Sequence, residues 1–391
     1  MTKPIFLSYP FLKGNEKKYV VECLDSEWIS TSGKFVSDFE KAFASYVNVP
    51  GAVACVNGTA ALHISLIIAG VQAGEEVIVP TLTFIAPINA VRYVFAEPLF
   101  MDCDDYLNMD MGKLEQFLSE ECEFVNGKLT NRKTGRRIRA IIPVHVFGSM
   151  CDMDKLMSLA GKYNLTVIED STEALGSKMI SGLFAGKHAG TIGDFGACSF
   201  NGNKIITCGG GGMISARNQE LLEKAKYLTT QAKNDELHFI HDEVGYNYRL
   251  TAIQAAMGLA QLEQLPEFVK RKKQRYEEYQ RIVREIPGLS ILDIPPYCDS
   301  NCWFYSLLIE KDVYGLDRDG LMNKFEAEKI QTRPVWKLNH LQKPYLDNQA
   351  YKIEKAHYYF DRILNIPCSV GLTDEDFGRV VKVLKFNSQY T

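Results

Sequence analysis

The stretch GAVACVNGTAALHISLIIAGVQAGEEVIVP, residues 51–80, decides the fold of this chain. Its first six residues are small or apolar and predict a strand, residues 59–70 predict a helix, and residues 75–80 predict a second strand. Strands that alternate with helices in this way indicate a mostly parallel sheet with helices on both faces. The strands are apolar along their whole length, which is typical of strands buried on both sides.

The same alternation continues as far as residue 216. Further strands are predicted at 97–104, 139–147, 165–170, 195–200 and 211–216, and further helices at 83–94, 111–122 and 153–164. The polar residues 119–140 interrupt this pattern and predict a hairpin insertion. We therefore expect an α/β fold with a large, doubly wound, mostly parallel sheet.

The pattern changes near Pro266. An apolar helix over residues 251–265 should stop at this proline, and a long charged helix should follow over residues 267–286. The remaining residues predict a smaller α+β unit. We therefore predict a large domain over residues 1–265, which includes an N-terminal arm, and a small domain over residues 266–391.

The composition limits the function classes. The 391 residues are 46% apolar and 24% charged, with a formal charge of −4 and a pI near 6.0, which argues against a general nucleic-acid or anionic-membrane binder. The ten cysteines form no C-x-x-C pair, which favours reduced thiols over disulfides or a zinc site. No signal pattern or spanning segment is evident. We expect a soluble cytoplasmic protein without a metal site and without nucleic-acid or membrane partners.

The first candidate binding motif follows the predicted strand at 51–56. Asn57 and Gly58 should form a turn, Thr59 could cap the next helix, and the N–H groups of Thr59, Ala60 and Ala61 could bind an anion. Taken alone, this motif is more typical of an ordinary helix cap.

Two further motifs also follow strand ends, where ligands bind in doubly wound sheets. Glu169 and Asp170 end the strand at 165–170, and a buried carboxylate there needs a partner. Lys204 follows the strand at 195–200, between a polar turn and the glycines 209–212. These glycines lead into a strand, so they are not a dinucleotide fingerprint.

An anion site, an acid and a lysine together suit pyridoxal 5′-phosphate (PLP). The anion site would bind the phosphate, the acid would keep the pyridine nitrogen protonated, and the lysine would bond to the aldehyde. An aromatic side chain commonly covers such a ring, and Phe84 in PTLTFIAP follows another strand.

Five segments in order carry a family resemblance: NGTAALH, PTLTFIAPINA, IEDSTEALGS, SFNGNKIIT and GYNYRLTAIQAA. In this order the chain resembles the sugar-nucleotide aminotransferases of DegT/StrS type, which are fold-type I, aspartate-aminotransferase-like PLP enzymes. The resemblance extends over essentially the whole chain. It is strongest to enzymes that aminate C4 of UDP- or GDP-linked 4-keto-6-deoxy-2-acetamido sugars in bacillosamine and legionaminic acid synthesis. One departure is Gly210, where many family members have glutamate.

The resemblance implies a role for each matching residue. Lys204 would hold PLP covalently and act as the catalytic base, and Asp170 would pair with the pyridine nitrogen. Other residues would contact the cofactor: Glu173 near the ring hydroxyl, Phe84 on the ring, Thr59, Ala60 and Ser199 at the phosphate, and Asn247 at the phosphate of a neighbouring subunit. Four more are expected near the substrate: His145, Arg249, Arg333 and His340.

The resemblance also implies the reaction and the partners. The amino group of L-glutamate would move to C4 of a nucleotide-linked 4-keto sugar, in a homodimer whose active site is shared between subunits. Three alternatives stay open at this point: a PLP-dependent sugar dehydratase, a nicotinamide-dependent oxidoreductase and a non-catalytic regulator with the same fold. Lys204 argues against the dehydratase, in which histidine typically replaces it. The lack of an early G-x-G-x-x-G argues against the oxidoreductase.

Overall fold

The computed structural model describes residues 3–235 and 237–385. Its helices are α1 Glu16–Asp25, α2 Lys34–Val47, α3 Gly58–Ile68, α4 Ala86–Tyr93, α5 Met111–Glu120, α6 Met153–Tyr163, α7 Gln219–Thr229, α8 Ala252–Val283, α9 Lys311–Tyr314, α10 Arg318–Ala327, α11 Lys355–Arg362 and α12 Asp374–Leu384. Its strands are β1 Ala52–Cys55, β2 Glu76–Pro80, β3 Glu97–Met101, β4 Cys122–Val125, β5 Lys128–Asn131, β6 Arg137–Ile141, β7 Thr166–Asp170, β8 Lys178–Met179, β9 Phe195–Ser199, β10 Gly212–Ala216, β11 Lys233–Asp235, β12 Ile240–His241, β13 Leu289–Ile291, β14 Cys298–Asp299, β15 Tyr305–Ile309, β16 Arg333–Pro334, β17 Ala350–Tyr351 and β18 Ile363–Ile366.

The large sheet has the order β1-β10-β9-β7-β6-β2-β3-β17, and the predicted hairpin, β4 and β5, is attached to β6. Strands from β9 to β17 in this order are parallel, whereas β10 runs antiparallel to both of its neighbours. The prediction of a mostly parallel sheet is thereby confirmed.

Helices cover both faces of this sheet. Along β2, Val77 and Val79 belong to an apolar cluster that includes residues of α3, α4 and α7, whereas Ile78 between them belongs to a cluster with residues of α5 and α6. Successive side chains of a strand point to opposite faces, so a strand covered on both sides must be apolar throughout. This is the reason that the strands read as continuous apolar runs.

A second, smaller sheet follows α8. Its four strands, in the order β13-β15-β18-β16, are all antiparallel. The N-terminal segment also packs here, because Ile5 forms a parallel bridge with Ile330. None of the helices within the described ranges combines the length and apolarity that crossing a membrane requires.

The expected helix break at Pro266 is wrong. Helix α8 runs without interruption for 32 residues and contains this proline. Pro266 cannot donate to the carbonyl of Leu262, but buried side chains on both sides, among them Leu265 and Phe268, hold the helix in place. Packing along the whole helix outweighs the loss of one hydrogen bond. The predicted boundary at residue 265 therefore lies inside a helix, and the division into two domains stays a prediction.

Candidate active site

A cleft of about 380 Å³ lies where β7 and β9 end and α3 begins. Residues from separate motifs of the sequence line it together. The predicted residues among them are Thr59, Phe84, Asp170, Glu173, Ser199 and Lys204. The parallel strands bring these motifs to one edge of the sheet, as doubly wound topology requires.

Lys204 lies inside this cleft and not on a solvated loop. Its side chain is 13% exposed, and its Nζ is 3.7 Å from Oε1 of Glu173. The same Nζ lies 4.3 Å from the centre of the Trp303 ring. The indole nitrogen of Trp303 donates to the carbonyl of Asn203, which ties the lysine-bearing turn to the wall of the cleft. A partly buried amine beside an acid and an aromatic face suits a nucleophile held for a ligand.

The adjacent acids Glu169 and Asp170 have different surroundings. Glu169 is fully buried and accepts backbone N–H groups from Gly190, Ile192 and Gly193, at 2.9, 2.6 and 2.6 Å. His145 Nε2 lies 2.9 Å from the same carboxylate. Glu169 is thus fully committed to a buried loop. Neighbouring residues of a strand face opposite sides of the sheet, so Asp170 faces the cleft.

Asp170 has few partners of its own. Within residues 3–235 and 237–385, Thr172 alone is recorded as a hydrogen-bond donor to its side chain, with its N–H 3.1 Å from Oδ1. Burial raises the pKa of Asp170, although nearby Lys204 opposes the shift. A buried carboxylate with spare acceptor capacity, lining a cleft, suits a cationic ring nitrogen.

The carboxylate of Glu173 contacts both Lys204 and the main chain of Phe147. Its Oε2 accepts the N–H of Phe147 at 2.8 Å, and its Oε1 faces Lys204. Burial raises the pKa of Glu173 from 4.5 to about 7, against the lowering effect of Lys204. In the cofactor-free protein this carboxyl therefore titrates near neutral pH.

We expect the stability of the cofactor-free protein to depend on pH through Glu173. Between pH 4.5 and about 7 the folded chain keeps a proton at this residue that the unfolded chain has released. The free energy of unfolding should therefore fall as the pH rises through this window and level off above it. The loss should be on the order of 3 kcal/mol and absent in Glu173→Gln. Urea unfolding of the parent protein and of Glu173→Gln at about pH 5 and about pH 8 measures this loss. The same change in the free energy of unfolding in both proteins would contradict the prediction.

The phosphate end of the cleft differs in detail from the prediction. Asn57, not Thr59, caps α3, and its Oδ1 accepts the N–H of Ala60 at 2.8 Å. The Ala61 N–H donates to the carbonyl of Asn57. The N–H groups of Ala60 and Ala61 are thus committed within the protein, and Thr59 and Ser199 line the cleft. A Cβ on Gly58 would lie 2.8 Å from Cβ of Ser199, so glycine allows this close approach of helix and strand.

Two tryptophans in the cleft were missed by the sequence analysis. Trp303 and Trp336 both line it, and Phe147 lies between them, 4.7 Å from Trp336 and 6.1 Å from Trp303 between ring centres. Their motifs, CWFY and PVWK, carry an aromatic signal, but an aromatic residue in a strand or loop more often belongs to a core. Only the approach of the C-terminal residues to the large sheet makes them a cleft wall.

The four residues expected near the substrate do not line the cleft. His145 is buried, with Nδ1 accepting from Cys151 and Nε2 therefore donating to Glu169, so both ring nitrogens are occupied. His340 Nδ1 lies 2.6 Å from the hydroxyl of Thr81. Arg333 is exposed and lies beside a neighbouring cavity, of about 450 Å³, which shares Asn203 and Trp336 with the cleft.

The residues of the GYNYRLT motif lie outside the cleft of their own chain. Asn247 is exposed. Arg249 has a buried Nε that has no hydrogen-bond partner among the described residues. A buried guanidinium nitrogen needs an acceptor, which a water molecule, an ion, a ligand or a second chain could supply.

These features fit PLP. The cleft combines a partly buried amine, a cleft-facing carboxylate, a helix start with a serine beside it, and an exposed phenyl ring. The amine suits the aldehyde of PLP and the carboxylate suits its ring nitrogen. The helix start and the serine suit its phosphate, and the phenyl ring suits the face of its ring.

Similarity to known proteins also points to a PLP enzyme. The DegT/DnrJ/EryC1/StrS aminotransferase family matches residues 10–385. The GDP-perosamine synthase of Caulobacter vibrioides is 37% identical over 387 residues, which cover 97% of each chain. That of Escherichia coli O157:H7 is 37% identical over 367 residues, 94% of this chain and 93% of the relative. A crystal structure of a DegT DnrJ EryC1 StrS aminotransferase from Brucella abortus superposes with a TM-score of 0.85 at 27% identity, covering 95% of each chain. The chain therefore belongs to the DegT/DnrJ/EryC1/StrS aminotransferase family of PLP-dependent sugar aminotransferases.

Proposed function

We propose that this enzyme transfers the amino group of L-glutamate to C4 of a nucleotide-linked 4-keto-6-deoxy hexose. The observation that carries the proposal is the placement of Lys204 Nζ in the cleft, 3.7 Å from Glu173 and beside Asp170. A lysine in this position supports amino transfer over dehydration, because a free amine is needed both to hold the cofactor and to move protons.

PLP, when bound, supplies an aldehyde that takes up the amino group and a ring that withdraws electrons from the reacting carbon. Lys204 would hold it covalently. Once displaced by glutamate, the same amine would take the Cα proton of the donor, and in the second half-reaction it would deliver a proton to C4 of the sugar. Its position against the face of the Trp303 ring covers one side of the amine.

Asp170 and Glu173 would serve different ends of the ring. Asp170 would keep the pyridine nitrogen protonated, and its burial strengthens that ion pair because few dipoles of water compete with it. Glu173, which also accepts from Phe147, would lie near the ring hydroxyl and hold a proton close to Lys204.

We further propose a cytoplasmic homodimer that completes the site. Asn247 would reach the phosphate of the neighbouring subunit, and the unpartnered Nε of Arg249 supports a contact of this kind. The ten cysteines, all free and buried, support a reducing compartment.

The identity of the sugar nucleotide is the finer part of the proposal. The two relatives named as GDP-perosamine synthases favour a GDP-linked substrate. The resemblance noted in the sequence favours an acetamido group at C2 on UDP or GDP. A path for the nucleotide is offered by the cavity beside the cleft, where Arg333 could contact a diphosphate.

A panel of nucleotide 4-keto-6-deoxy sugars tests the proposal. GDP-, UDP- and dTDP-linked forms, with hydroxyl or acetamido at C2, would be incubated with enzyme and amino-¹⁵N-labelled glutamate and read by mass spectrometry. We expect one carrier and one C2 group to give a labelled amino sugar together with 2-oxoglutarate. A product that has lost water and carries no label would favour the dehydratase instead.

A further inference from the structure

Asn339 connects the C-terminal part of the chain to the edge of the large sheet. It begins a 3₁₀ turn, Asn339–Leu341, and is 1% exposed. Its main-chain N–H donates to the carbonyl of Thr81 at 2.9 Å. Its side-chain Nδ2 donates to the carbonyls of Thr81 and Thr83, at 3.1 and 2.8 Å.

These two carbonyls belong to the turn that carries Phe84. The turn follows β2, and Thr81 and Thr83 are both buried. The hydroxyl of Thr81 is also bonded to Nδ1 of His340, at 2.6 Å. Residues 339 and 340 therefore hold the turn through its main chain and through one of its side chains.

Few contacts fix the orientation of the Phe84 side chain. Its ring is 52% exposed, lines the cleft, and makes no ring–ring contact with the described residues. The direction of this ring is therefore set by the backbone of the residues before it. That backbone is the part of the chain that Asn339 holds.

We propose that Asn339 is a positioning residue that fixes Phe84 over the cofactor ring by bonding the Thr81 and Thr83 carbonyls. This inference rests on the proposed role of Phe84 as the residue that covers the ring.

The chemistry of the amide accounts for asparagine at this position. One planar nitrogen with two hydrogens can bridge two carbonyls that lie two residues apart. Aspartate has the same shape but no hydrogen to donate, so it would place oxygen against oxygen. Serine is shorter and would leave the carbonyls to water.

A double-mutant cycle on PLP affinity tests the proposal. The full-length enzyme would be stripped of cofactor and titrated with PLP, with tryptophan fluorescence and the visible absorption band as readouts. We expect Asn339→Asp and Phe84→Ala each to weaken binding about tenfold, the range of one aromatic contact. The double variant should bind no more than about twofold more weakly than Phe84→Ala alone. Should Asn339→Asp fail to fold, Asn339→Ser enters the same cycle.

Asn348→Ser is the matched control. Asn348 donates to Glu97 on the same sheet at 2.9 Å but does not line the cleft, so its loss should leave PLP affinity unchanged. Two results would overturn the positioning role of Asn339 alone. One is a double variant whose loss of PLP affinity equals the product of the two single losses, and the other is unchanged PLP affinity in the Asn339 variants. Unchanged affinity in Phe84→Ala would overturn the assignment of Phe84 as well.

Discussion

Replacing Lys204 by alanine is expected to abolish transamination. The amine is both the group that would hold the cofactor and the base that would move the proton, so turnover should fall by a factor on the order of 10⁴ or more. The fold should persist, because the pairing of Lys204 with Glu173 at 3.7 Å is long and the side chain lies at a cleft. Formation of 2-oxoglutarate from glutamate and the visible absorption band of covalently bound PLP are the two measurements.

Lys204→Arg separates charge from nucleophilicity. The guanidinium would keep a cation beside Glu173 and over the Trp303 ring, but it would neither bond to the aldehyde nor give up its proton. We therefore expect Lys204→Arg to lose activity as fully as Lys204→Ala while keeping the fold of the cleft. Near-normal turnover in either variant would contradict the role given to Lys204.

Asp170→Asn is expected to have the second largest effect. An amide cannot stabilise a proton on the ring nitrogen, so we expect turnover to fall about 10²- to 10³-fold and PLP to be retained more weakly. The cofactor-free protein should lose no stability, because the substitution removes a buried charge to which Thr172 is the only donor residue within the described ranges. Steady-state kinetics measures the turnover, PLP titration measures the affinity for the cofactor, and urea unfolding measures the stability.

The adjacent acid supplies the control. Glu169 accepts three backbone N–H groups and faces His145, so Glu169→Gln should turn an amide nitrogen toward donors and cost about 2–4 kcal/mol of stability. Its folded fraction should bind PLP nearly as the parent protein does. The reverse pattern, with stability lost at Asp170 and cofactor lost at Glu169, would mean that the wrong carboxylate has been assigned.

Much of the site could be predicted because its residues belong to local motifs. Lys204, Asp170 and Ser199 each lie at or just past the end of an apolar strand, and in a parallel sheet such ends meet at one edge. The failures arise where a local rule competes with packing. A proline such as Pro266 commonly breaks a helix, but here α8 continues through it because buried side chains on both sides hold the helix in place.

Other residues could not be assigned from the sequence because their roles depend on contacts between distant segments. His145 was expected near the substrate, yet it faces Glu169 inside the protein, and Glu169 supports a buried loop. Trp303 and Trp336 become a cleft wall only because the C-terminal residues return to the large sheet. Asn339 acquires its partners, Thr81 and Thr83, from more than 250 residues away.

The order of strands, helices and motifs along this chain was sufficient to predict its α/β class and its cofactor, both confirmed, and to propose the lysine that holds it, because backbone periodicity and the chemistry of short motifs are local properties. Tertiary structure alone decided how the neighbouring Glu169 is bonded inside the protein, which nitrogen atoms already have partners and which aromatic rings enclose the cleft. Those outcomes depend on burial and on hydrogen bonds between segments far apart in the chain, and burial is a property of the folded whole.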